Sequence, residues 1–120
     1  MIGLLSGIRV YLAPGATDMR KSYDGLTAVA REVLREDPTA QALFAFCNRR
    51  RTQLKILYFD GTGLCVLAKR LESGTFAWPK PEPGETRITL KPSELAALLG
   101  GFSLDPDTRR KWWRLPDPAD

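Results

Sequence analysis

Short apolar runs separated by tight turns fill the middle of the chain, and they restrict its fold more than any other feature. Four such runs follow one another: Leu43 to Cys47, Leu54 to Phe59, Leu64 to Leu71 and Thr75 to Trp78. Because their connectors are short, successive runs are predicted to form antiparallel neighbouring strands. The DGTG sequence at residues 60–63 is typical of a hairpin turn, since glycine tolerates the positive φ of tight turns.

The flanking segments predict further strands and two helices. Residues 8–12 alternate like a strand, and residues 87–90 indicate another. Apolar residues at helical spacing predict a helix from Thr17 or Asp18 to about Arg35, and residues 92–99 predict a second one. We therefore expect one α+β domain over residues 1–102, an antiparallel β-meander of about four or five strands packed by two helices. An irregular, Pro-rich, basic and aromatic tail would follow over residues 103–120.

Positive charge is concentrated in the middle of the sequence. The whole chain has 18 basic and 14 acidic residues and a formal net charge of +4. Residues 49–80 hold seven basic and two acidic side chains, whereas the segments before and after them are close to neutral. This distribution fits a localised anionic partner, and it equally fits an ordinary solvated, arginine-rich surface.

The predicted connection between the second and third strands carries three consecutive arginines. Adjacent guanidinium groups at a hairpin tip cannot all turn inward, so we expect them in solvent, where they suit phosphate contacts. At most one of the two basic residues that close the next strand can share a sheet face with Lys55. The candidate nucleic-acid-binding residues are Asn48, Arg49, Arg50, Arg51, Gln53, Lys55, Lys69 and Arg70.

A second basic cluster lies in the tail and is interleaved with tryptophan. This combination suits base stacking together with phosphate contacts, although a tryptophan that folds back onto the core would explain it as well. The secondary candidates are Arg109, Arg110, Lys111, Trp112 and Arg114, beside Trp113.

Several kinds of chemistry find no support in the sequence. The chain has no histidine, which excludes His-dependent catalysis. Its two cysteines, Cys47 and Cys65, lie in apolar runs and are interpreted as structural thiols. Asp18 and Asp60 have structural explanations as a helix-start and a turn residue, so they and Asp24 and Glu72 are not expected to form a catalytic metal site. We expect no catalysis, metal or cofactor.

No apolar run is long enough to cross a bilayer, and the N-terminal sequence lacks the pattern of a secretory signal. We therefore expect a cytoplasmic protein without a membrane partner. The sequence leaves the oligomeric state open.

Three segments together resemble one known family. VYLAPGATDMRKSYDGL, FAFCNRRRTQLKILYFDGTGLCVLAKRLESGTFAWP and LKPSELAALL are similar, in order and spacing, to the TnpB-type accessory protein of the insertion sequence 66 family of bacterial transposons. The resemblance covers about residues 2–102. The chain departs from the family at Arg51 and Thr52, where Gly and Asp are more usual, and at Lys91, where a Ser or Thr helix cap is expected.

The resemblance implies a non-catalytic protein that acts beside a larger transposase. It supplies no site residues, so the candidates above depend on their charge and position alone. DNA and the transposase of the same element are the expected partners. The alternative function is a protein-binding scaffold that docks on an acidic partner surface without touching DNA. DNA binding should weaken steeply with salt, whereas scaffold binding should tolerate it.

Overall fold

A computed structural model describes residues 8–100, and within them two helices pack on opposite faces of a five-stranded sheet. The strands are β1 (Arg9–Leu12), β2 (Ala42–Cys47), β3 (Gln53–Phe59), β4 (Leu64–Arg70) and β5 (Ile88–Leu90); the helices are α1 (Tyr23–Glu32) and α2 (Pro92–Leu99). The sheet order is β4-β3-β2-β1-β5. The α+β class and the two-helix prediction are confirmed.

The sheet is mixed, which corrects the expectation of a purely antiparallel meander. β2, β3 and β4 form the predicted antiparallel meander, but β1 lies between β2 and β5 and runs parallel to β2. The physical reason is α1, which carries the chain back along the sheet so that β1 and β2 begin at the same end. The loop that follows β1 therefore lies beside the loop that follows β2.

Each face of the sheet has its own apolar core, as strands with consecutive apolar residues require. On one face Leu26 and Ala30 of α1, together with Leu34 just after the helix, are buried against Phe44, Phe46 and other strand residues. On the other face α2 buries Leu95 and Leu98 against alternate strand residues and Phe76. We call these the α1 face and the α2 face.

The first helix is shorter than predicted at both ends. It begins at Tyr23, because residues 17–21 form a loop in which the backbone N–H of Thr17 donates to the carbonyl of Cys47 at 2.8 Å. Asp18 accepts from the backbone N–H of Arg20 in that loop, so it does not cap the helix as expected. The helix ends at Glu32, and Arg35 then takes a left-handed conformation with a φ of 60°.

The predicted fourth strand of the meander, Thr75 to Trp78, is wrong. A turn with Gly74 at a φ of 75° sends the chain over the end of the sheet instead of along β4. The N–H of Phe76 donates to the carbonyl of Arg51 at 2.7 Å, and the Phe76 ring is buried on the α2 face. The segment therefore bonds the β2–β3 tip through Phe76 and the loop after β1 through the Trp78 indole N–H, and it does not pair with β4.

The second helix starts at Pro92, as predicted, although Lys91 stands at its N-cap. The Lys91 backbone N–H donates to the side-chain carboxylate of Glu94 at 2.9 Å. Glu94 thus satisfies a backbone donor at the helix start without a Ser or Thr.

Candidate nucleic-acid interface

Asn48 organises the tip between β2 and β3. Its side-chain Oδ1 accepts from the backbone N–H groups of Thr52 and Gln53 at 2.9 and 3.1 Å, and its Nδ2 donates to the Thr52 hydroxyl at 3.1 Å. Its own carbonyl accepts from the N–H of Arg51, which closes a four-residue turn. The amide proposed to contact nucleic acid is therefore engaged within the tip, where it fixes the shape of the arginine loop.

We expect Asn48→Ala to lower the free energy of unfolding by about 1–3 kcal/mol, because two backbone donors in a half-buried turn lose their acceptor. Asn48→Asp keeps an acceptor oxygen at the same position and should have the smaller effect. Urea denaturation of both variants measures the difference. Equal losses in the two variants would contradict a role for Oδ1 as the turn acceptor.

The three tip arginines occupy two different environments. Arg49 and Arg50 are exposed, as predicted, but Arg51 is half-buried. Arg51 has a φ of 61°, and its guanidinium lies over the Trp78 ring, 5.6 Å from the ring centroid. The prediction that all three project into solvent is wrong for Arg51, because the left-handed backbone at that residue directs the side chain back onto Trp78.

The basic residues of β3 and β4 divide between the two faces of the sheet. Gln53 and Arg70, which pair across the two strands, lie on the α1 face together with Lys55. Lys69 lies on the α2 face. Lys55 Nζ donates to the carbonyl of Lys21 at 2.8 Å, and Lys69 Nζ donates to the carbonyl of Leu99 at 2.6 Å. Both lysines therefore fasten neighbouring segments to the sheet, while Arg70 is exposed.

Sequence reasoning missed two basic residues, Arg20 and Lys21. Because β1 and β2 are parallel, the loop after β1, which holds both residues, lies beside the β2–β3 tip. There the Thr17 N–H donates to the Cys47 carbonyl, and Lys55 Nζ donates to the Lys21 carbonyl. The order strand, helix, strand is the pattern of a parallel βαβ unit, and it was the signal that could have found them.

One end of the sheet therefore collects most of the candidate residues. We call it the basic end, and it consists of Arg20, Lys21, Arg49, Arg50, Lys55, Lys69 and Arg70. Asp18 partly neutralises it, because its carboxylate pairs with the Arg20 guanidinium at 2.7 Å. Hydrogen bonds from Arg20 lower the pKa of Asp18 to about 2. Among residues 8–100, the other members of the basic end have no carboxylate within salt-bridge distance.

The opposite end of the sheet carries an acidic turn. Asp60 accepts from the backbone N–H and hydroxyl of Thr62 and from the N–H of Gly63, all at 2.9 Å. These hydrogen bonds lower the pKa of Asp60 to about 2, so it is ionised at neutral pH. The β3–β4 hairpin thus carries positive charge at one end and negative charge at the other.

Two features of the described chain bear on metal and thiol chemistry. Across residues 8–100, no group of three or more His, Cys, Asp or Glu side chains could hold a metal ion. Cys47 is buried, and that burial raises the pKa of its thiol, which disfavours the reactive thiolate. Within the same range, no helix has the length and apolar character needed to span a membrane.

The secondary candidates in the tail, from Arg109 to Arg114, lie outside the described residues. Their proposed role stays a prediction.

Fold and charge together define a small α+β protein with one basic end. The chain belongs to the family described as IS66 Orf2-like proteins, whose model matches residues 8–109. This membership implies an accessory role associated with transposition and confirms the resemblance found in the sequence. The family is not known for catalysis.

Two proteins of Sinorhizobium fredii are similar along most of their length. One, named "Uncharacterized protein y4hO", is 40% identical over 95 residues, which cover 79% of this chain and 81% of that protein. The other, named "Uncharacterized protein y4jC", is 34% identical over 102 residues, covering 85% and 86%. No solved structure matches.

Proposed function

We propose that this protein assists transposition by binding the DNA of its element through the basic end. The observation that carries the proposal is the pair Arg49 and Arg50, exposed on a turn that Asn48 holds in shape, beside Lys21 and Arg70. A guanidinium group suits phosphate because its planar set of donors can engage two oxygens. A fixed turn lowers the entropic cost of presenting these groups together.

The contacts expected from such a surface are mainly to phosphates. Phosphate contacts position a protein on DNA but carry no sequence information. The basic end holds adjacent exposed charges, and the Asn48 amide, one of the candidates for a neutral contact to DNA, is engaged within the turn. We therefore propose DNA binding with little sequence preference, with targeting to the element ends supplied by the transposase. On the same ground we propose a cytoplasmic location, because the DNA of a bacterial element lies in the cytoplasm.

A scaffold that docks on an acidic surface of the transposase would use the same end. In this second function the exposed arginines would pair with carboxylates of the partner instead of phosphates, and Lys55 and Lys69, which already donate to backbone carbonyls, would contribute less to either function. The two functions differ in their response to salt. A protein that neutralises phosphates releases condensed counterions, whereas docking between two proteins does not depend on them to the same degree.

The test is a titration of the full chain with duplex DNA of element-end and unrelated sequence, with and without transposase. If Lys21, Arg49, Arg50 and Arg70 each contact one phosphate, the slope of log affinity against log salt should be roughly −3.6. Affinity should then fall roughly 100-fold between about 50 and about 200 mM salt. Absent DNA binding, together with salt-tolerant association with the transposase, would replace DNA binding by the scaffold function.

A further inference from the structure

The outer edge of β4 differs from the other edge of the sheet. β4 is a seven-residue edge strand, LCVLAKR, and within residues 8–100 no strand pairs with its outer side. The opposite edge strand, β5, has only three residues. Long edge strands without proline or central charges are templates for pairing with another strand. The first five residues of β4 are apolar, and its charges stand only at the end.

The side chains of β4 are also incompletely covered. Leu64, Cys65 and Val66 are half-buried, whereas Leu67 and Ala68 are exposed. Leu67 is one of the large apolar residues left exposed in the described part of the chain, at 38%. Both faces of the strand therefore expose apolar surface to water along the edge that no other strand of residues 8–100 covers.

The pairing of β3 with β4 fixes which backbone groups point outward. The backbone N–H of Leu71 donates to the Thr52 carbonyl, and the backbone N–H of Asp60 donates to the Gly63 carbonyl. The hydrogen-bonded pairs with β3 therefore fall on odd-numbered residues of β4. The N–H and carbonyl groups of Leu64, Val66, Ala68 and Arg70 consequently face the outer edge. A partner strand must present its own outward groups opposite these four residues.

A second copy of β4 meets this requirement when it runs antiparallel about Leu67. In that register Leu64 pairs with Arg70 of the other copy and Val66 pairs with Ala68, so all four outward residues form ladder bonds. Leu67 then faces its own equivalent on the two-fold axis. Each copy contributes the same surface, as a two-fold interface demands.

Charge favours the same arrangement. Antiparallel pairing brings Lys69 and Arg70 of each copy to the strand end where the partner carries its ionised Asp60 turn. Parallel pairing of two copies would instead place the basic pair beside its own equivalent, and like charges on neighbouring strands are destabilising. The strand is thus electrostatically self-complementary in one direction only.

From these observations we propose that the protein forms a two-fold dimer through antiparallel pairing of β4 with β4, which joins two five-stranded sheets into one. The dimer does not rest on the proposed DNA binding, because Arg49 and Arg50 lie outside the interface, although Arg70 ends the paired strand and belongs to both surfaces. It presents two basic ends, one at each side of the axis, so it could contact two DNA segments at once.

The first test measures the mass of the full chain in solution by light scattering over a range of concentrations. We expect twice the mass of one chain, and we expect Leu67→Lys to weaken the dimer at least about tenfold, because it places two like charges on the axis. Val33→Lys is the matched control, since Val33 is exposed at 51% and lies outside β4. Circular dichroism checks that both variants stay folded.

The second test fixes the register. In a Cys65→Ser background, Leu67→Cys should cross-link under oxidation, because the Cα atoms of such a pair lie about 4.5 Å apart, within reach of a disulfide. Thr89→Cys on β5 should remain unlinked. A monomer at high concentration, a dimer that Leu67→Lys leaves intact, or a monomer that adds a transposase strand at β4 would each overturn the proposal.

Discussion

Replacing Arg49 and Arg50 together with alanine should reduce the slope of log DNA affinity against log salt by about 2 units, since each exposed arginine is expected to neutralise one phosphate. The loss should be about equal for element-end and unrelated DNA, because phosphate contacts carry no sequence information. Arg51 is left out of this variant, since its guanidinium lies over Trp78. The change removes charge without removing the turn that Asn48 holds.

The control for this variant is Arg31→Ala with Lys80→Ala, which removes the same charge from two exposed residues outside the basic end. Both double variants should keep the fold, because exposed substitutions usually change stability by no more than about 0.5 kcal/mol each. Fluorescence anisotropy at several salt concentrations gives the slopes. If the tip variant kept the full slope while its association with the transposase was lost, the scaffold function would be favoured.

Trp78→Ala should produce the largest loss of stability, about 3 kcal/mol in the free energy of unfolding, since it removes a large, partly buried aromatic side chain. Its indole N–H donates to the Ala13 carbonyl at 2.9 Å, and its ring packs on the α2-face core and under Arg51. Trp78 therefore links the loop after β1 to the β2–β3 tip.

Trp78→Phe separates the contributions of this residue. It keeps an aromatic face for Arg51 and much of the packing but loses the hydrogen bond to Ala13, so the expected cost is about 1 kcal/mol. Urea denaturation of both variants gives the comparison. If Trp78→Ala lowered the free energy of unfolding by less than about 1 kcal/mol, the side chain would not hold these segments together.

Local patterns were enough to predict β2, β3, β4 and α2. A pattern in consecutive residues predicts each of these elements: apolar runs of strand length, the DGTG turn, and an apolar helix between Pro92 and Gly100. The two-sided cover of the sheet also agrees with strands that are apolar at successive positions. The resemblance to the family was likewise sufficient for the transposition-associated role.

The features that were missed depend on contacts between distant parts of the chain. The parallel place of β1 beside β2 follows from the path of α1, which no local pattern of β1 encodes. Likewise the three tip arginines are chemically identical, and only the left-handed backbone at Arg51 and the nearby Trp78 distinguish one of them. The expected family Gly at that residue was a signal, because glycine favours the same positive φ.

The segment Thr75 to Trp78 illustrates the same limit. Its composition is typical of a strand, but a strand also needs a neighbouring strand as hydrogen-bond partner. Here the N–H of Phe76 donates instead to the carbonyl of Arg51 at the tip. Lys55 and Lys69 also look like surface charges in the sequence, although each fastens a loop or helix end to the sheet.

DNA binding through the basic end is tested most directly by mapping the DNA contact surface by NMR. Isotope-labelled full-length protein would be titrated with a short duplex, and the change in each backbone amide signal would be recorded. We expect the largest changes at the basic end, around Lys21, Arg49, Arg50 and Arg70, with little change at the Asp60 turn. Changes centred on the Asp60 turn, or no change at the basic end when DNA is bound, would contradict it.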